Sequence, residues 1–199
     1  MVGVTLTLLA AVAPADRLIT IPTGRKLPYG TVRYEFRYQP FEGGTQENLL
    51  GLGISTAFDM EIRTDRGIGE STTGTFDIAY NLIAALPGLS PGISFGVQDA
   101  LDHTPDGRRF FGVVTFREPF STINGDFPAD ITVGVMGAKK VTPIVGVEVP
   151  FSKEVHLLVE HNGLRIASGM EFRPKPWLNL RAQIIGTRTE LSAQVTTHF

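Results

Sequence analysis

Alternation of apolar and polar residues with a period of two runs through the chain from residue 31 to the C-terminus. In the first such segment, Tyr34 and Phe36 alternate with Glu35 and Arg37. Successive side chains of a β-strand point to opposite faces, whereas a helix would mix these two sets on one surface. The pattern therefore predicts strands with one apolar face and one polar face.

The alternating pattern divides into about twelve strands of roughly 8–11 residues, the length typical of strands that cross a membrane. The predicted strands cover residues 31–40, 48–55, 59–66, 74–84, 92–100, 109–118, 129–138, 143–151, 154–161, 164–172, 177–185 and 189–199. Turn signals such as His161-Asn162-Gly163 separate them, and no helical pattern interrupts the series. Because short turns join consecutive strands, neighbouring strands must be antiparallel.

The composition of the polar face separates a membrane barrel from a soluble β-sandwich, since alternation alone fits both. A soluble sheet usually shows lysine and glutamate to water, but here the polar faces carry arginine, glutamate and small polar residues. The five lysines lie in turns or before residue 31, namely Lys26, Lys139, Lys140, Lys153 and Lys175. Small residues and charges of both signs suit a narrow lumen. The predicted fold is all-β, an antiparallel up-and-down transmembrane β-barrel of about 12 strands over residues 31–199.

Aromatic residues concentrate near alternate turns, which share one rim in an up-and-down barrel. A girdle of aromatic side chains at the membrane interface is expected at that rim. Its predicted members are Phe58, Phe120, Phe151, Phe172, Trp177 and Phe199.

The N-terminal residues have the pattern of an export signal. An apolar run from Val2 to Ala13 is followed by Ala13-Pro14-Ala15, a small-x-small cleavage pattern, although no basic residue precedes the run. A buried N-terminal strand is the alternative. We expect residues 1–15 to be a signal peptide and residues 16–30 to form a lead in the periplasm.

The C-terminal strand, from Leu191 to Phe199, resembles the terminal signal of bacterial outer-membrane proteins, a strand of period two that ends in phenylalanine. The resemblance implies a bacterial outer-membrane location, a lipid bilayer around the barrel and recognition of this strand by the barrel-assembly machinery. More weakly, residues 21–31 resemble the entry of barrel proteins associated with exopolysaccharide export.

Charged residues on the polar faces form the candidate functional set. The predicted lumen-lining residues are Arg33, Glu35, Arg37, Glu61, Arg63, Asp77, Glu148, Glu160, Arg165, Glu171 and Arg181. They predict a narrow pore or transport-associated channel for small polar solutes. Two alternatives stay open: a plugged structural or assembly barrel in which these charges pair across strands, and a soluble β-sandwich that acts as a binding module.

Other chemistry has little support in the sequence. Ser94 lies in a G-x-S-x-G match, but within a predicted strand and without the helix that a nucleophile elbow requires. The histidines lack the spacing of a zinc protease, and the chain has no cysteine. A net charge of −2 offers no basic field for nucleic acid. We therefore predict no enzymatic activity, no metal, no cofactor and no nucleic-acid partner; the oligomeric state is left open.

Overall fold

The computed structural model describes residues 17–41, 44–66, 72–123 and 125–199. These residues form twelve β-strands. The strands are β1 (Thr31–Tyr38), β2 (Gln46–Gly53), β3 (Phe58–Arg66), β4 (Thr73–Ile83), β5 (Gly92–Gln98), β6 (Arg109–Thr122), β7 (Gly125–Gly137), β8 (Val141–Pro150), β9 (Val155–His161), β10 (Ile166–Lys175), β11 (Leu178–Ile185) and β12 (Arg188–His198). Residues 1–15, the predicted signal peptide, lie outside the described ranges.

The sheet closes on itself, since β1 pairs antiparallel with β2 on one side and with β12 on the other. In the closing pair, Thr31 lies opposite His198 and Tyr38 lies opposite Leu191. Closure leaves no strand edge along the wall, as a barrel in lipid requires for its backbone hydrogen bonds. The predicted all-β class, antiparallel order and strand number are confirmed.

The two faces of the wall have the expected polarity. In β1 the side chains of Arg33 and Glu35 point into the barrel and are buried, whereas Tyr34 and Phe36 point outward and are exposed. Exposed aliphatic and aromatic side chains cover the outer surface around the barrel. The outside is therefore an apolar belt, and the inside holds most of the buried charge.

The hairpin of β6 and β7 is longer than the sequence predicted. Its strands reach Thr122 and start again at Gly125, where the predicted strands ended at 118 and began at 129. Pro119 and Pro128 face each other in this extension, where neither β5 nor β8 continues beside the hairpin. Proline is tolerated at such an open edge because no neighbouring strand needs its missing N–H.

The barrel has two rims. The rim where β1 begins and β12 ends is called the terminal rim, and the opposite one, formed by the turns after β1, β3, β5, β7, β9 and β11, is called the distal rim. Within the described ranges, none of the secondary structure is a helix with the length and hydropathy needed to cross a membrane.

Candidate functional site

Ten of the eleven predicted lumen residues project into the barrel interior from seven different strands. They are Arg33, Glu35, Arg37, Glu61, Arg63, Asp77, Glu148, Glu160, Glu171 and Arg181. Glu35 and Glu171 have almost no contact with solvent. The strand periodicity brings these charges together because each is at an inward-facing position of its strand.

Arg165 differs from these ten residues in its position. The residue precedes β10, in the turn at the distal rim, and its side chain is 40% exposed. Its guanidinium lies 3.3 Å from the Asp106 carboxylate of a neighbouring turn. The predicted strand began at residue 164, two residues before β10, and Arg165 lines a small cavity together with Arg63.

The lumen charges form ion pairs of alternating sign. Glu171 pairs with Arg181 and Arg173, and Glu61 pairs with Arg33 and Arg17. Such buried charges are costly to remove from water unless they are paired and hydrogen-bonded. The network across strands therefore fixes the positions of the inward side chains.

The lumen also contains the chain segment before β1, which we call the inner segment (residues 17–27). Its apolar side chains Leu18, Ile19, Ile21 and Leu27 are buried inside the barrel. A periplasmic location was expected for residues 16–30, and that expectation is wrong for residues 17–27. Residues 18–21 form a narrow turn, which we call the tip, and in it the Leu18 N–H donates to the Ile21 carbonyl at 3.0 Å.

Glu160, on β9 near the distal rim, holds the tip of the inner segment. Its carboxylate accepts hydrogen bonds from the backbone N–H groups of Ile19 at 2.9 Å, Thr20 at 2.8 Å and Ile21 at 3.3 Å, and from the Thr20 hydroxyl. Hydrogen bonds to a charged acceptor are stronger than those between neutral groups. One wall carboxylate therefore satisfies three consecutive backbone donors that would otherwise be buried without partners.

The carbonyl groups of the same tip are held by wall cations and an amide. Arg181 donates to the Leu18 carbonyl at 2.9 Å and Arg37 donates to the Ile19 carbonyl at 3.2 Å. The Gln98 side chain donates to the Thr20 carbonyl at 3.0 Å. The wall thus supplies an acceptor for the N–H side of the tip and donors for its carbonyl side.

An apolar patch on the inner wall receives the tip side chains. Leu18, Ile19 and Ile21 belong to one buried cluster with wall residues from β6 to β10. The wall members of this cluster are Phe111, Val113, Met136, Ile144, Leu158 and Ala167. Sequence reasoning missed this patch, although its signal is visible: several of these apolar residues fall at inward positions of strands whose inner face is otherwise polar.

Gly146, on β8, leaves room for the tip. A Cβ atom at this position would lie 2.6 Å from side-chain atoms of both Leu18 and Ile21. That separation is far below normal contact, so any larger residue here would displace the tip. The wall and the inner segment therefore fit each other closely.

Nearer the terminal rim, four further contacts fix the inner segment. Gly24 N–H donates to the Thr115 hydroxyl at 2.7 Å, and Leu27 N–H donates to the Asp59 carboxylate at 3.0 Å. Arg25 pairs with Asp130 and lies 3.1 Å from Glu148. The segment is thus held along its whole length, from its entry to its tip.

The predicted girdle residues lie on the outer surface near the terminal rim. Their exposed fractions run from 42% at Phe120 to 85% at Phe199. Phe58 packs against Tyr80 with ring centroids 4.8 Å apart, and Tyr80 packs against Phe95 at 5.0 Å. Phe120 lies on the β6–β7 extension, farther along the barrel axis than the others.

At the distal rim, Asp99 organises the turn between β5 and β6. Its carboxylate accepts hydrogen bonds from the hydroxyls of Thr75 and Thr104 and from the backbone N–H groups of His103 and Thr104. Partial burial would raise the pKa of this carboxyl, but the hydrogen bonds outweigh that effect and lower its pKa to about 2.

The depressed pKa of Asp99 gives the turn a defined pH dependence. Its unfolded-state pKa is near 4, so its stabilising contribution is complete above pH ~4 and is lost as the pH falls through about 2. A ¹³C titration of the Asp99 carboxyl in detergent micelles should therefore have its midpoint near 2. In the Asp99→Asn variant, the stability of the turn should not change within this pH window. A midpoint of 4 or above would contradict the hydrogen-bonding pattern.

The structure describes the surroundings of Ser94 and of the metal-ligating residue types. The Ser94 hydroxyl is buried and donates to Asn81, within β5 rather than at a strand-to-helix turn. No group of three or more histidine, aspartate or glutamate side chains in the described ranges could hold a metal ion.

Comparison of the fold with solved structures gives clear matches to porins. The chain aligns with the KdgM porin in complex with disordered oligogalacturonate at a TM-score of 0.56 and 10% sequence identity, covering 85% of this chain and 99% of that chain. It aligns with a second KdgM porin structure at a TM-score of 0.53 and 11% identity, with the same coverage. No protein-family model and no curated protein sequence matches the chain.

The fold is therefore that of a bacterial outer-membrane β-barrel. The closed antiparallel wall, the apolar outer belt and the porin-like shape all point to this class. At 10–11% identity, the similarity to the KdgM porins concerns the fold.

Proposed function

We propose that the protein is a narrow, transport-associated pore for small polar solutes in the bacterial outer membrane, and that the inner segment closes it. The observation that carries this proposal is the nature of the blockage. The wall forms a complete barrel with a charged interior, and the inner segment that fills this interior is not one of the strands of the wall. Its removal would leave a lumen lined by charges of both signs, which suits polar solutes.

The outer surface supports the membrane location. Exposed apolar side chains surround the wall, and aromatic residues gather near the terminal rim, where an interfacial girdle is expected. Residues 1–15 would direct export, and the strand that ends at Phe199 would be recognised by the barrel-assembly machinery. In the usual orientation of such barrels, the terminal rim faces the periplasm and the distal rim faces outward.

The contacts of the inner segment are of a kind that can be exchanged for water. Apart from its continuity with β1, the segment is held by hydrogen bonds, ion pairs and packing. The KdgM porin, which shares this fold, was solved in complex with a disordered oligogalacturonate, so a barrel of this shape can bind a polar chain molecule.

A plugged structural or assembly barrel is the second candidate. It is favoured by the completeness of the tip contacts, since Glu160, Arg181, Arg37 and Gln98 leave the tip's backbone groups satisfied. In that case the inner segment would be a permanent core that stabilises the wall. The two candidates differ in whether the segment leaves the lumen on the timescale of transport.

Conductance in a planar lipid bilayer tests the proposal. We expect the purified, folded protein to give small discrete conductance steps, because the narrow lumen opens when the inner segment moves. Insertion should be verified on the same sample by faster migration of the unheated protein in gel electrophoresis. Inserted protein that never conducts would reject the pore and select the plugged barrel.

A further inference from the structure

A cavity of about 440 Å³ lies at the distal rim. It is bounded by the turn between β5 and β6, the turn between β7 and β8, and the turn between β9 and β10. Its lining includes four cationic side chains, Arg108, Arg109, Lys139 and Lys140, and two acidic ones, Asp102 and Asp106. We call this cavity the vestibule, because it lies at the mouth of the lumen.

The acidic side chains of the vestibule are already engaged. Asp102 accepts a hydrogen bond from the backbone N–H of Arg108 at 2.7 Å. Asp106 lies 3.3 Å from Arg165 and 3.9 Å from Arg109, so one carboxylate serves two guanidinium groups. Cations therefore outnumber the carboxylates that could neutralise them.

Three of the four lining cations are available to a ligand. Arg108, Lys139 and Lys140 are exposed, and none forms an ion pair with any residue in the described part of the chain. Arg108 lies in the turn between β5 and β6, and Lys139 and Lys140 lie in the turn between β7 and β8, so all three are at one side of the mouth. Three unpaired cations around a concave surface create a local positive potential despite the net negative charge of the chain.

Arg109 links the vestibule to a second cavity of about 180 Å³. The charged lining of that cavity also includes Arg63, Arg165, Arg188, Asp65, Asp99 and Asp106. Arg109 donates from Nη2 to the Gln98 side chain at 3.2 Å, but its Nε and Nη1 donors are buried without a hydrogen-bond partner. Buried donors are normally satisfied. An acceptor bound at this junction would satisfy them after a small adjustment of the side chain.

We propose that the vestibule binds the anionic group of a small soluble solute, a carboxylate or a phosphate, before the solute enters the lumen. The inference rests on the proposed pore function and specifies the class of solute. Guanidinium groups match the geometry of carboxylate and phosphate, and ammonium groups add charge without a fixed orientation. A cavity of this volume suits a ligand of about monosaccharide size.

Calorimetric titration of the detergent-solubilised full barrel is the test, with D-glucuronate as probe and D-glucose as its uncharged counterpart. We expect saturable binding of glucuronate and none of glucose. In the variant Arg108→Gln/Lys139→Gln/Lys140→Gln, the glucuronate affinity should fall about tenfold or more. A matched variant at the terminal rim, Lys153→Gln/Lys175→Gln, should bind as the original protein does.

Three results would overturn the proposal: equal binding of glucose and glucuronate, unchanged affinity in the triple variant, or equal losses in both variants. A lipid phosphate is the other possible source of the anion. Mass spectrometry of the purified proteins distinguishes this source, and we expect it to find no lipid A that depends on the three cations. Lipid A that co-purifies with the original protein but not with the triple variant would overturn the assignment to a soluble solute. Since binding is measured without transport, a barrel that binds glucuronate but does not conduct would refute the pore alone.

Discussion

Replacement of Val133 by arginine is expected to destabilise the barrel by about 2–4 kcal/mol in lipid. Val133 lies near the middle of the wall on β7, opposite Val114 of β6 and Val145 of β8. Its side chain points outward and is 40% exposed. An arginine at this depth would face hydrocarbon, where no water or carboxylate compensates its charge.

The matched control is Val141→Arg at the distal rim. Val141 also points outward and is 62% exposed, but it begins β8, where an arginine side chain reaches the headgroup region. Its cost should be about 0–1 kcal/mol. Urea titration of both variants in lipid vesicles measures the two free energies of unfolding. Equal costs at the two depths would contradict the membrane orientation of the wall.

Much of the wall followed from residue parity. In β1, the alternation of Glu35 and Arg37 with Tyr34 and Phe36 fixes both the strand and its inward face. The same reasoning placed Glu171 in the lumen, because a strand in a closed barrel offers only two directions to each side chain. Parity works here since one face meets the apolar surroundings and the other meets a polar interior.

The same reasoning fails where the chain leaves the strand. Arg165 was predicted to lie within a strand, but it lies in the turn before β10 at the distal rim. The ends of β6 and β7 were missed because Pro119 and Pro128 signal a strand boundary, although an open-edged hairpin tolerates them. These errors arise from local rules that depend on the neighbouring strands.

The inner segment could not be predicted from local sequence at all. Its tip has no periodicity, and its partners are far away in the chain: Thr20 binds Glu160, 140 residues later. The available signal lay on the wall, where apolar residues such as Val113 and Leu158 occupy inward positions. In a lumen filled by water alone these positions would favour polar residues, so they indicate an apolar occupant.

The energetics of the lumen depend on that occupant. With the inner segment in place, Glu160 accepts hydrogen bonds from the tip and Arg181 donates to it. When the segment leaves, water must replace these contacts, and the apolar patch becomes exposed. The hydrophobic cost of exposing Ile19 and Ile21 is about 1.5–3 kcal/mol each, as an upper range for full exposure. Opening is therefore expected to be infrequent unless a solute or partner compensates this cost.

A disulfide between the tip and the wall is expected to abolish conductance in a reversible manner. The chain has no cysteine, so Thr20→Cys/Asn162→Cys introduces the only pair of thiols. The native side chains are in contact, with Asn162 Nδ2 2.9 Å from the Thr20 hydroxyl oxygen. The oxidised variant should give no conductance steps, because the tip cannot leave the lumen, and reduction should restore them. Intact mass should confirm the bond, and the single variant Thr20→Cys should conduct under both conditions.

Gly146→Val should have the opposite effect, because it disturbs the packing of the tip against the wall. A side chain at this position would collide with Leu18 and Ile21, so the closed state loses its packing while the charges of the wall stay unchanged. We expect a higher fraction of time open than in the original protein. Gly112→Ala is the matched control, since a Cβ atom there would meet no atom within 4 Å.

Equal conductance of the oxidised and reduced cysteine variants, with no gain from Gly146→Val, would show that solutes do not need the tip to move. The inner segment would then be a fixed part of the lumen wall, and selectivity would depend on whatever path remains beside it.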